Sequence, residues 1–287
     1  MQIKEIHTVP KLENSIRFQE YAVGIFKTLP TKSGVKKAIK KKLISINGDI
    51  ATTALFILGE EKVILFESED SSNFKRLKLT LEVIFEDDYL AIINKPAGIL
   101  VSGNKFKTIS NALDQNLIKS RQLDAVKAKP IHRLDYPTTG LLLIGKTNAS
   151  IIALNKLFEY KQIKKTYFAI TIGQMEVSGI INTLIDNKNS ETHYEVLKTV
   201  VSKRFEYLNL VKLSPKTGRR HQLRKHMLSL GNPILGDKEY CNEKLILNGK
   251  GMYLHAGILE FIHPFTKQQI KIKKDFSNKF KKIFIKF

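Results

Sequence analysis

Two short segments of the chain concentrate polar residues that a folding argument does not require. The first is HRLDYPTTG, residues 132–140, in which Asp135 stands just before a tight Pro/Gly loop and an apolar run. A carboxylate in that position would be held rigidly at the edge of a sheet, where it could act as a nucleophile or a base. The alternative is a turn-forming aspartate at the surface with cations beside it.

The second segment is TGRRHQLRKHM, residues 217–227. If it is helical, Gln222 and His226 share one face, and Arg220 and Arg224 share another, because residues four apart are neighbours on a helix. The simpler interpretation is a basic helix N-terminus that lies on RNA phosphate.

Metal and cofactor chemistry find little support among the other polar residues. The histidines do not form an H-E-x-x-H motif or pair with cysteines, and the Arg and Lys residues beside them would repel a cation. No second acidic motif supports a two-carboxylate glycosidase. The glycines form neither G-x-G-x-x-G nor a phosphate loop. We therefore expect no metal and no cofactor. The histidines weighed as ligands are His132, His221, His226, His255 and His263, of which the last two are expected to be structural.

The charge of the chain indicates its class of partner. Across 287 residues, 48 Lys and Arg against 27 Asp and Glu leave a formal charge of +21 at pH 7. Such an excess favours nucleic acid first and an anionic membrane surface second. The single cysteine, Cys241, excludes an internal disulfide framework and a Cys-rich zinc site. No apolar run approaches the roughly 20 residues of a membrane span, and no signal peptide precedes the first motif, so we expect a cytoplasmic protein.

The segment Glu67–Asn73 is polar and predicts a linker between domains 1–70 and 71–287. Before it, residues 31–33 can cap a helix whose apolar positions share one face, and Asn47-Gly48 predicts a hairpin after a strand at Leu43–Ile46. The opposite helix face carries four lysines that either contact phosphate or form a solvated face. These lysines are Lys36, Lys37, Lys40 and Lys41.

After the predicted linker, strand patterns dominate and helices are few. The predicted strands are Leu81–Phe85, Leu90–Asn94, Gly140–Gly145, Tyr167–Ile172, Tyr194–Leu197, Phe205–Leu213 and Ile258–Ile262, and the predicted helices are Ile109–Leu117, Ser150–Tyr160, Arg220–Leu230 and Phe276–Phe287. Strands in succession without regular helical crossovers predict an α+β fold: a largely antiparallel or mixed sheet with flanking helices. A small α/β domain would precede it.

Several of these segments resemble one known family in order along the chain. HRLDYPTTGLLLIGKT is similar to the H-R-L-D motif region of the RluA-type RNA pseudouridine synthases, TGRRHQLRKHM to their G-R-x-H-Q-[IL]-R-x-H motif, and KKTYFAITIG to their K-x-Y-x-A motif. Supporting matches are VIFEDDYLAIINKPAGI, THYEVL, GNPILGDKEY and LHAGILEFIHPFT. The N-terminal VKKAIKKKLISINGD resembles, more loosely, the alpha-L RNA-binding domain that often precedes these catalytic domains.

The resemblance implies three catalytic residues. Asp135 matches the essential carboxylate, which either attacks C1′ of uridine or removes the C2′ proton, and both routes remain open. Arg224 matches the position that pairs with this aspartate. Tyr167 matches the position whose ring packs on the target base and assists proton removal from C5. After KPAG, where the family often has a His-Pro pair, this chain has ILVSGN.

Four further residues are predicted to contact RNA or shape the pocket. Arg133 could fill the space that a flipped uridine leaves, and His132 either holds the displaced strand or makes a loop hydrogen bond. Arg219 and His226 either shape the pocket or contact phosphate.

The resemblance thus implies an RNA uridine isomerase that acts on structured RNA, with ribosomal RNA favoured and transfer RNA as the second choice. We also expect a monomer. The alternative is a non-catalytic RNA-binding factor that retains the fold. A membrane-surface protein is the third possibility, for which the C-terminal helix is the only candidate element.

Overall fold

The computed structural model describes residues 2–67, 77–241, 245–247 and 249–285. Of these, residues 2–67 and Arg121–Val126 belong to one compact unit, and the remaining residues belong to a second. Apart from Glu67, the predicted linker at Glu67–Asn73 lies outside the described residues. The division into domains 1–70 and 71–287 therefore stays a prediction.

The first unit combines short strands with two helices. Its elements are β1 (Ile3–Thr8), β2 (Ile16–Arg17), α1 (Phe18–Tyr21), α2 (Lys32–Lys40), β3 (Ile44–Ile46), β4 (Asp49–Ile50), β5 (Phe56–Ile57) and β6 (Lys62–Phe66). Four strands form an antiparallel sheet in the order β1-β6-β3-β4, and β2 pairs with β5. Phe18, Phe26 and Ile44 are completely or almost completely buried between the helices and this sheet.

Helix α2 forms for the reasons that the sequence indicates. The Thr31 hydroxyl caps it by accepting the Gly34 N–H at 3.1 Å, and the apolar face of Val35, Ala38 and Ile39 is buried. The four lysines named above are all exposed, and Lys41 follows the last helical residue. The predicted hairpin is confirmed as well: Asn47 and Gly48 have φ of 50° and 96°, as both central residues of a type I′ turn require.

The second unit contains one large mixed sheet with helices around it. Its elements are β7 (Glu82–Glu86), β8 (Leu90–Lys95), α3 (Ile109–Ala112), β9 (Ala125–Pro130, whose first two residues belong to the first unit), β10 (Thr139–Thr147), α4 (Asn148–Glu159), β11 (Lys164–Ile172), β12 (Ser178–Ile185), β13 (Lys188–Ser202), β14 (Glu206–Pro215), α5 (Gln222–Ser229), β15 (Leu254–Ile262), β16 (Gln269–Lys273) and α6 (Asn278–Ile285). The strand order is β12-β13-β14-β11-β15-β10-β8-β7, with β16 on β15 and β9 on β10. The predicted α+β class with a mixed sheet is confirmed.

The central strands of this sheet are buried on both faces. Along β8, Leu90 and Ile92 belong to one hydrophobic cluster, and Ala91 and Ile93 belong to another. This follows from strand geometry, because successive side chains point to opposite faces. Helix α4 covers one face through Leu154. A sheet with two covered faces is a rigid support for the loops at its edges.

All four predicted helices have somewhat different bounds in the structure. The segment predicted as one helix at Ile109–Leu117 is α3 followed by a 3₁₀ turn, Leu113–Gln115. The Asn116 side-chain amide donates to the carbonyl of Ala112 at 2.7 Å, which ends the segment. Helix α6 begins at Asn278 rather than at the predicted Phe276, and residues 286 and 287 of the predicted helix lie outside the described residues. Its Phe280 and Phe284 are buried against Tyr253 and its neighbours. Core packing therefore accounts for the aromatic residues of this helix.

Within the described ranges, no helix is both long enough and apolar enough to cross a membrane.

One pair of strands places the segment that contains Asp135. Strand β10 begins four residues after Asp135, and its Thr139 and Gly140 pair in parallel with His255 and Ala256 of β15. Gly140 has φ of +113°, and a Cβ built on it would lie 2.7 Å from the Ala256 backbone nitrogen and closer still to its carbonyl oxygen. Only glycine fits at this close approach of β10 to β15, which we call the crossing.

We expect Gly140→Ala to destabilise the protein far more than Gly231→Ala. Gly231 also has a positive φ, +78°, but a Cβ there would meet nothing within 4 Å, so alanine at Gly231 should cost only the about 1–2 kcal/mol of a left-handed residue. Alanine at Gly140 adds a backbone clash, worth about 1–3 kcal/mol more. Urea denaturation of both variants measures the difference, and equal losses would contradict the crossing as described.

Candidate active site

Asp135 lies in the loop between β9 and β10, with its side chain 27% exposed. Backbone hydrogen bonds close this loop tightly. The N–H of Thr138 donates to the carbonyl of Asp135 at 3.0 Å, and the N–H of Gly98 donates to the carbonyl of Tyr136 at 2.9 Å. The neighbouring Leu134 side chain is buried in the main core. The carboxylate is thus reachable from solvent while its backbone is fixed.

A buried lysine also holds this loop, through hydrogen bonds to its backbone carbonyls. The ammonium of Lys95, which is fully buried, donates to the carbonyls of Pro96 at 2.9 Å, Thr138 at 2.8 Å and Tyr136 at 3.3 Å. Three donors thus meet three acceptors, which suits the protonated form. Burial lowers the pKa of Lys95 to about 8, although the charge of Asp135 acts in the opposite direction.

The guanidinium of Arg224 faces Asp135 from helix α5. Its Nη1 lies 3.6 Å from Oδ2 of Asp135. Its other nitrogens bind Asp237 in a bidentate pair, with Nε to Oδ2 at 2.6 Å and Nη2 to Oδ1 at 2.7 Å. Nη2 also donates to Glu239 at 3.0 Å, and the group stacks over the Tyr240 ring at 4.7 Å.

Asp237 is the anion that neutralises this arginine inside the protein. Its side chain is completely buried, and its Oδ1 accepts the backbone N–H groups of Glu239 and Tyr240 as well. Burial alone would lower the pKa of Arg224, but the hydrogen bonds and charge of Asp237, with the charges of Asp135 and Glu239, raise it above its usual value. Arg224 therefore stays a cation.

His221 is a further group beside Asp135, and the sequence did not assign it a role. Its Nε2 lies 3.7 Å from Oδ1 of Asp135. Its Nδ1 lies 3.0 Å from the Tyr240 hydroxyl and 3.3 Å from Glu239 Oε1. The residue adopts a left-handed backbone with φ of 54°, a conformation that costs free energy in a non-glycine residue and is frequent at functional sites. The two Asp135 oxygens thus face one nitrogen group each.

The side chain of Gln222 sets the start of α5 and therefore the position of His221. Its Oε1 accepts the Arg219 N–H at 3.0 Å and the Thr217 hydroxyl at 2.7 Å. Its amide donates to the Glu191 carbonyl at 2.9 Å and to Thr192 Oγ1 at 3.0 Å. These bonds hold residues 217–221 outside the helix, so α5 begins at Gln222 rather than at the predicted Arg220.

Tyr167 lies on β11 and is 9% exposed. Burial, followed by the charge of Asp135, raises the pKa of its hydroxyl well above the usual value. The ring therefore enters the site as a neutral phenol. The structure thus brings together Asp135, Tyr167 and Arg224, the three residues that the sequence singled out for catalysis.

The four residues predicted to contact RNA or shape the pocket lie in different settings. Arg133 is exposed, and so is Arg219, whose Nε donates to the Asn189 carbonyl at 3.1 Å. His132 Nε2 accepts the Leu143 N–H at 3.1 Å, and burial, with the charge of Lys165, lowers its pKa to about 3. His132 is therefore neutral and makes the loop hydrogen bond that was one of its two alternatives.

His226 is fully buried and bonds to the hydroxyl of Ser190 at 2.8 Å. No part of its ring is available to RNA in this conformation. Of the two roles predicted for His226, its burial therefore supports shaping the pocket over contacting phosphate. His255 bonds to Thr139 at 2.8 Å and to the Lys274 carbonyl at 3.0 Å, and His263 lies 3.0 Å from Asp87. These contacts support the structural interpretation of both histidines.

Comparisons with known proteins match this fold and this chemistry. The family model described as RNA pseudouridylate synthase matches residues 89–229, which contain Asp135, Tyr167 and Arg224. The chain belongs to this RNA pseudouridylate synthase family. As a member it is an isomerase that converts uridine in RNA to pseudouridine.

The relatives include two curated bacterial proteins. Ribosomal large subunit pseudouridine synthase C of Rickettsia conorii is 32% identical, over 90% of this chain and 93% of the relative. Ribosomal large subunit pseudouridine synthase D of Nitrosomonas europaea is 32% identical, over 83% of this chain and 75% of the relative. Among solved structures, human RNA pseudouridylate synthase domain containing 4 matches the fold with a TM-score of 0.56 and 24% identity, over 69% of this chain and 90% of that one.

We expect conversion of uridine to fall as the pH rises through about 8. Below that pH Lys95 is an ammonium that binds three loop carbonyls, and above it the group loses its charge and one donor. The loop that carries Asp135 then loosens. Single-turnover rates between pH 6 and 9.5 measure the effect. Lys95→Met should be slower at every pH and should lack the alkaline decline near 8; an unchanged decline would assign it to another group.

Proposed function

We propose that this chain converts uridine to pseudouridine in large-subunit ribosomal RNA. The observation that carries the chemistry is the Asp135 carboxylate in a fixed loop, with Arg224 3.6 Å from one oxygen and His221 3.7 Å from the other. The choice of RNA rests on the relatives, which are named ribosomal large subunit pseudouridine synthases. The charge of +21 suits a polyanionic substrate of this kind.

The reaction breaks the C1′–N1 bond of uridine, turns the free uracil and joins C5 to C1′. Overall, C5 loses a proton and N1 gains one, so neither a redox partner nor a group donor is needed. Asp135 starts the reaction as a carboxylate, by attack on C1′ or by removal of the C2′ proton. In both routes the negative charge must point at the ribose, and the two nitrogen groups beside its oxygens set that direction.

Arg224 is the residue that orients Asp135. Because Asp237 already binds its Nε and Nη2, only the Nη1 side of the guanidinium faces the catalytic carboxylate. The 3.6 Å separation is longer than a hydrogen bond, so Arg224 attracts Asp135 without immobilising it in a tight ion pair. The carboxylate can then leave the arginine and approach the ribose.

Tyr167 holds the detached uracil by packing against it. Its raised pKa keeps the hydroxyl protonated, which favours hydrogen-bond donation to the base over direct removal of the C5 proton. The buried ring adds an apolar surface that retains uracil after its bond to the sugar is broken. We therefore assign Tyr167 to binding and orientation of the base.

RNA contacts outside the reacting nucleotide come from exposed cations. Arg133, two residues before Asp135, fills the gap left by the flipped uridine, where its planar group can stack on the neighbouring bases. Arg219, exposed beside α5, contacts phosphate. Domain 1–70 adds the lysine face of α2, defined as Lys36, Lys37, Lys40 and Lys41, all exposed.

The residues proposed for the chemistry all lie in one copy of the chain. Asp135, Tyr167, Arg224 and His221 come from the second unit, and no second copy is needed to supply a partner to any of them. We therefore infer that the protein acts as a monomer, in the cytoplasm, where its ribosomal RNA substrate is made.

Asp135→Asn tests the catalytic assignment. The amide keeps the size of the side chain but removes its charge and nucleophilicity, so conversion should fall by several orders of magnitude. RNA affinity should stay within about twofold, because phosphate contacts supply most of the binding free energy. The assay is single-turnover pseudouridine formation on a large-subunit ribosomal RNA transcript, mapped by carbodiimide-dependent primer-extension stops, beside a filter-binding titration.

Tyr136→Phe is a matched control, since this neighbouring ring is 55% exposed and has no part in the proposed chemistry. It should convert uridine at close to the wild-type rate. Rapid conversion by Asp135→Asn would refute the role of Asp135. A wild-type protein that binds the RNA but converts no uridine would indicate an RNA-binding factor that retains the fold.

The lysine face of α2 predicts how affinity depends on salt. Replacing its four lysines by glutamine should reduce the magnitude of the log–log slope of affinity against salt by about 0.7–0.9 for each phosphate that the variant no longer neutralises. The fold should survive, because the buried face of α2 is Val35, Ala38 and Ile39. Filter binding between 50 and 300 mM salt gives the slope. A slope equal to that of the wild type would mean that this face is only solvated.

A further inference from the structure

Lys165 is a partly buried lysine beside the active site that neither the proposed chemistry nor the fold uses. It lies on β11 two residues before Tyr167, and the pairing of β11 with β15 is irregular between Thr166 and Tyr167. Its ammonium lies 5.5 Å from the centre of the Phe158 ring and near enough to His132 for its charge to lower that pKa. Both the catalytic loop and the strand of Tyr167 are therefore close to this cation.

Lys165 differs from every other lysine that is at least partly buried in the described part of the chain. Each of the others donates to an oxygen: Lys95 and Lys279 to carbonyls, and Lys146, Lys212, Lys225 and Lys274 to carboxylates. Among the described residues, no oxygen accepts a hydrogen bond from Lys165, and burial alone shifts its pKa, downward. A charge that is removed from water without a hydrogen-bond acceptor costs free energy. The partial burial of Lys165 therefore destabilises the folded protein.

A glycine that neither the backbone conformation nor the packing requires lies next to the Lys165 ammonium. Gly218 begins the segment that leads to His221, and its φ is one that any residue can adopt. A Cβ built on it would meet nothing nearer than Lys165 Nζ, at 3.9 Å. Neither backbone conformation nor packing within the protein requires glycine here. A ligand that approaches the backbone closely would require it.

We propose that Lys165 and Gly218 form a binding site for a phosphate of the RNA, next to the uridine that is converted. The proposal rests on the RNA substrate of the proposed function. The Cα atoms of residues two apart on a strand are about 6.6 Å apart, a separation that one nucleotide bridges when its base packs on Tyr167. The phosphate supplies the acceptor that Lys165 lacks and passes over the backbone of Gly218.

A phosphate suits this position better than a base oxygen does. An ammonium is a compact point charge that binds phosphate well, and no carboxylate among the described residues contributes to the pKa shift of Lys165. The exposed Arg219 follows Gly218 directly and adds a second cation on the same segment. The site thus anchors the sugar–phosphate backbone while Asp135 acts on the ribose, which fixes the ribose relative to the carboxylate.

The first test uses the protein without RNA and compares Lys165→Met with Lys146→Met. Methionine keeps the apolar stem of Lys165 on Phe158 and removes only a charge without an acceptor, so the melting temperature should stay equal or rise. Lys146 is buried and paired with Glu86 at 2.7 Å, so Lys146→Met should lower it by several degrees. An equal decrease in both variants would give Lys165 a structural role and overturn the proposal.

The second test measures affinity for a large-subunit ribosomal RNA transcript by filter binding at several salt concentrations. Lys165→Met should weaken binding about tenfold near 0.1 M salt and reduce the magnitude of the slope by about 0.7–0.9, the value expected for a single phosphate. Lys165→Arg should restore both values. Weaker binding with an unchanged slope would indicate contact with a base and overturn the proposal, as would unchanged affinity.

A footprint locates the contact without any need for conversion. The transcript should slow acetylation of Lys165 by an N-hydroxysuccinimide ester at least fivefold, read by peptide mass spectrometry, and this protection should disappear at 1 M salt. Unchanged acetylation of Lys165 with RNA bound would overturn the proposal. If the wild-type protein converts no uridine but all three results hold, the isomerase assignment fails while the phosphate site stands.

Discussion

The bidentate pair between Arg224 and Asp237 is the interaction on which the active site depends. A guanidinium buried without a partner would cost several kcal/mol, so Asp237 must be present before Arg224 can face Asp135. The backbone next to Asp237 is equally constrained: Gly236 has φ of +78°, and a Cβ there would lie 2.9 Å from the carbonyl carbon of Gly251. The direction of the Asp135 carboxylate is therefore set by contacts deep in the protein and not by Asp135 itself.

Most of the fold could be predicted from sequence because its strands carry strong apolar patterns. Strands β8, β10 and β11 are buried on both faces, and their continuous apolar runs indicated them within two or three residues at each end. Strand β12 was missed, because it is an edge strand whose apolar side chains, such as Ile180 and Leu184, are largely exposed. Strand β1 was missed for the same reason. A strand shows a strong apolar pattern in the sequence when it is buried, so strands at the edge of a sheet show a weaker apolar pattern.

The residues that we propose for catalysis stand out in the sequence because they lie in motifs, but the groups that hold them do not. Asp237 is one of several aspartates in the chain, and its burial and pairing depend on residues far from it in sequence. The segment GNPILGDKEY did match the family and could have drawn attention to it. Lys95 and Gln222 each bond to three or more polar groups, two of which lie 30 or more residues away in sequence. Such networks follow from tertiary contacts, which periodicity and spacing do not encode.

The parallel contact between Thr139-Gly140 and His255-Ala256 also determines when the site can exist during synthesis. The two partners are 116 residues apart, and pairing of distant segments forms late because the intervening chain must first be ordered. Strand β10 has only β8 and β9 as earlier neighbours. While the chain emerges from the translating ribosome, the Asp135 loop therefore cannot reach its final position until β15 has been synthesised. A nascent chain that ends before β15 contains Asp135, Tyr167 and Arg224 but cannot yet hold them in the arrangement described above.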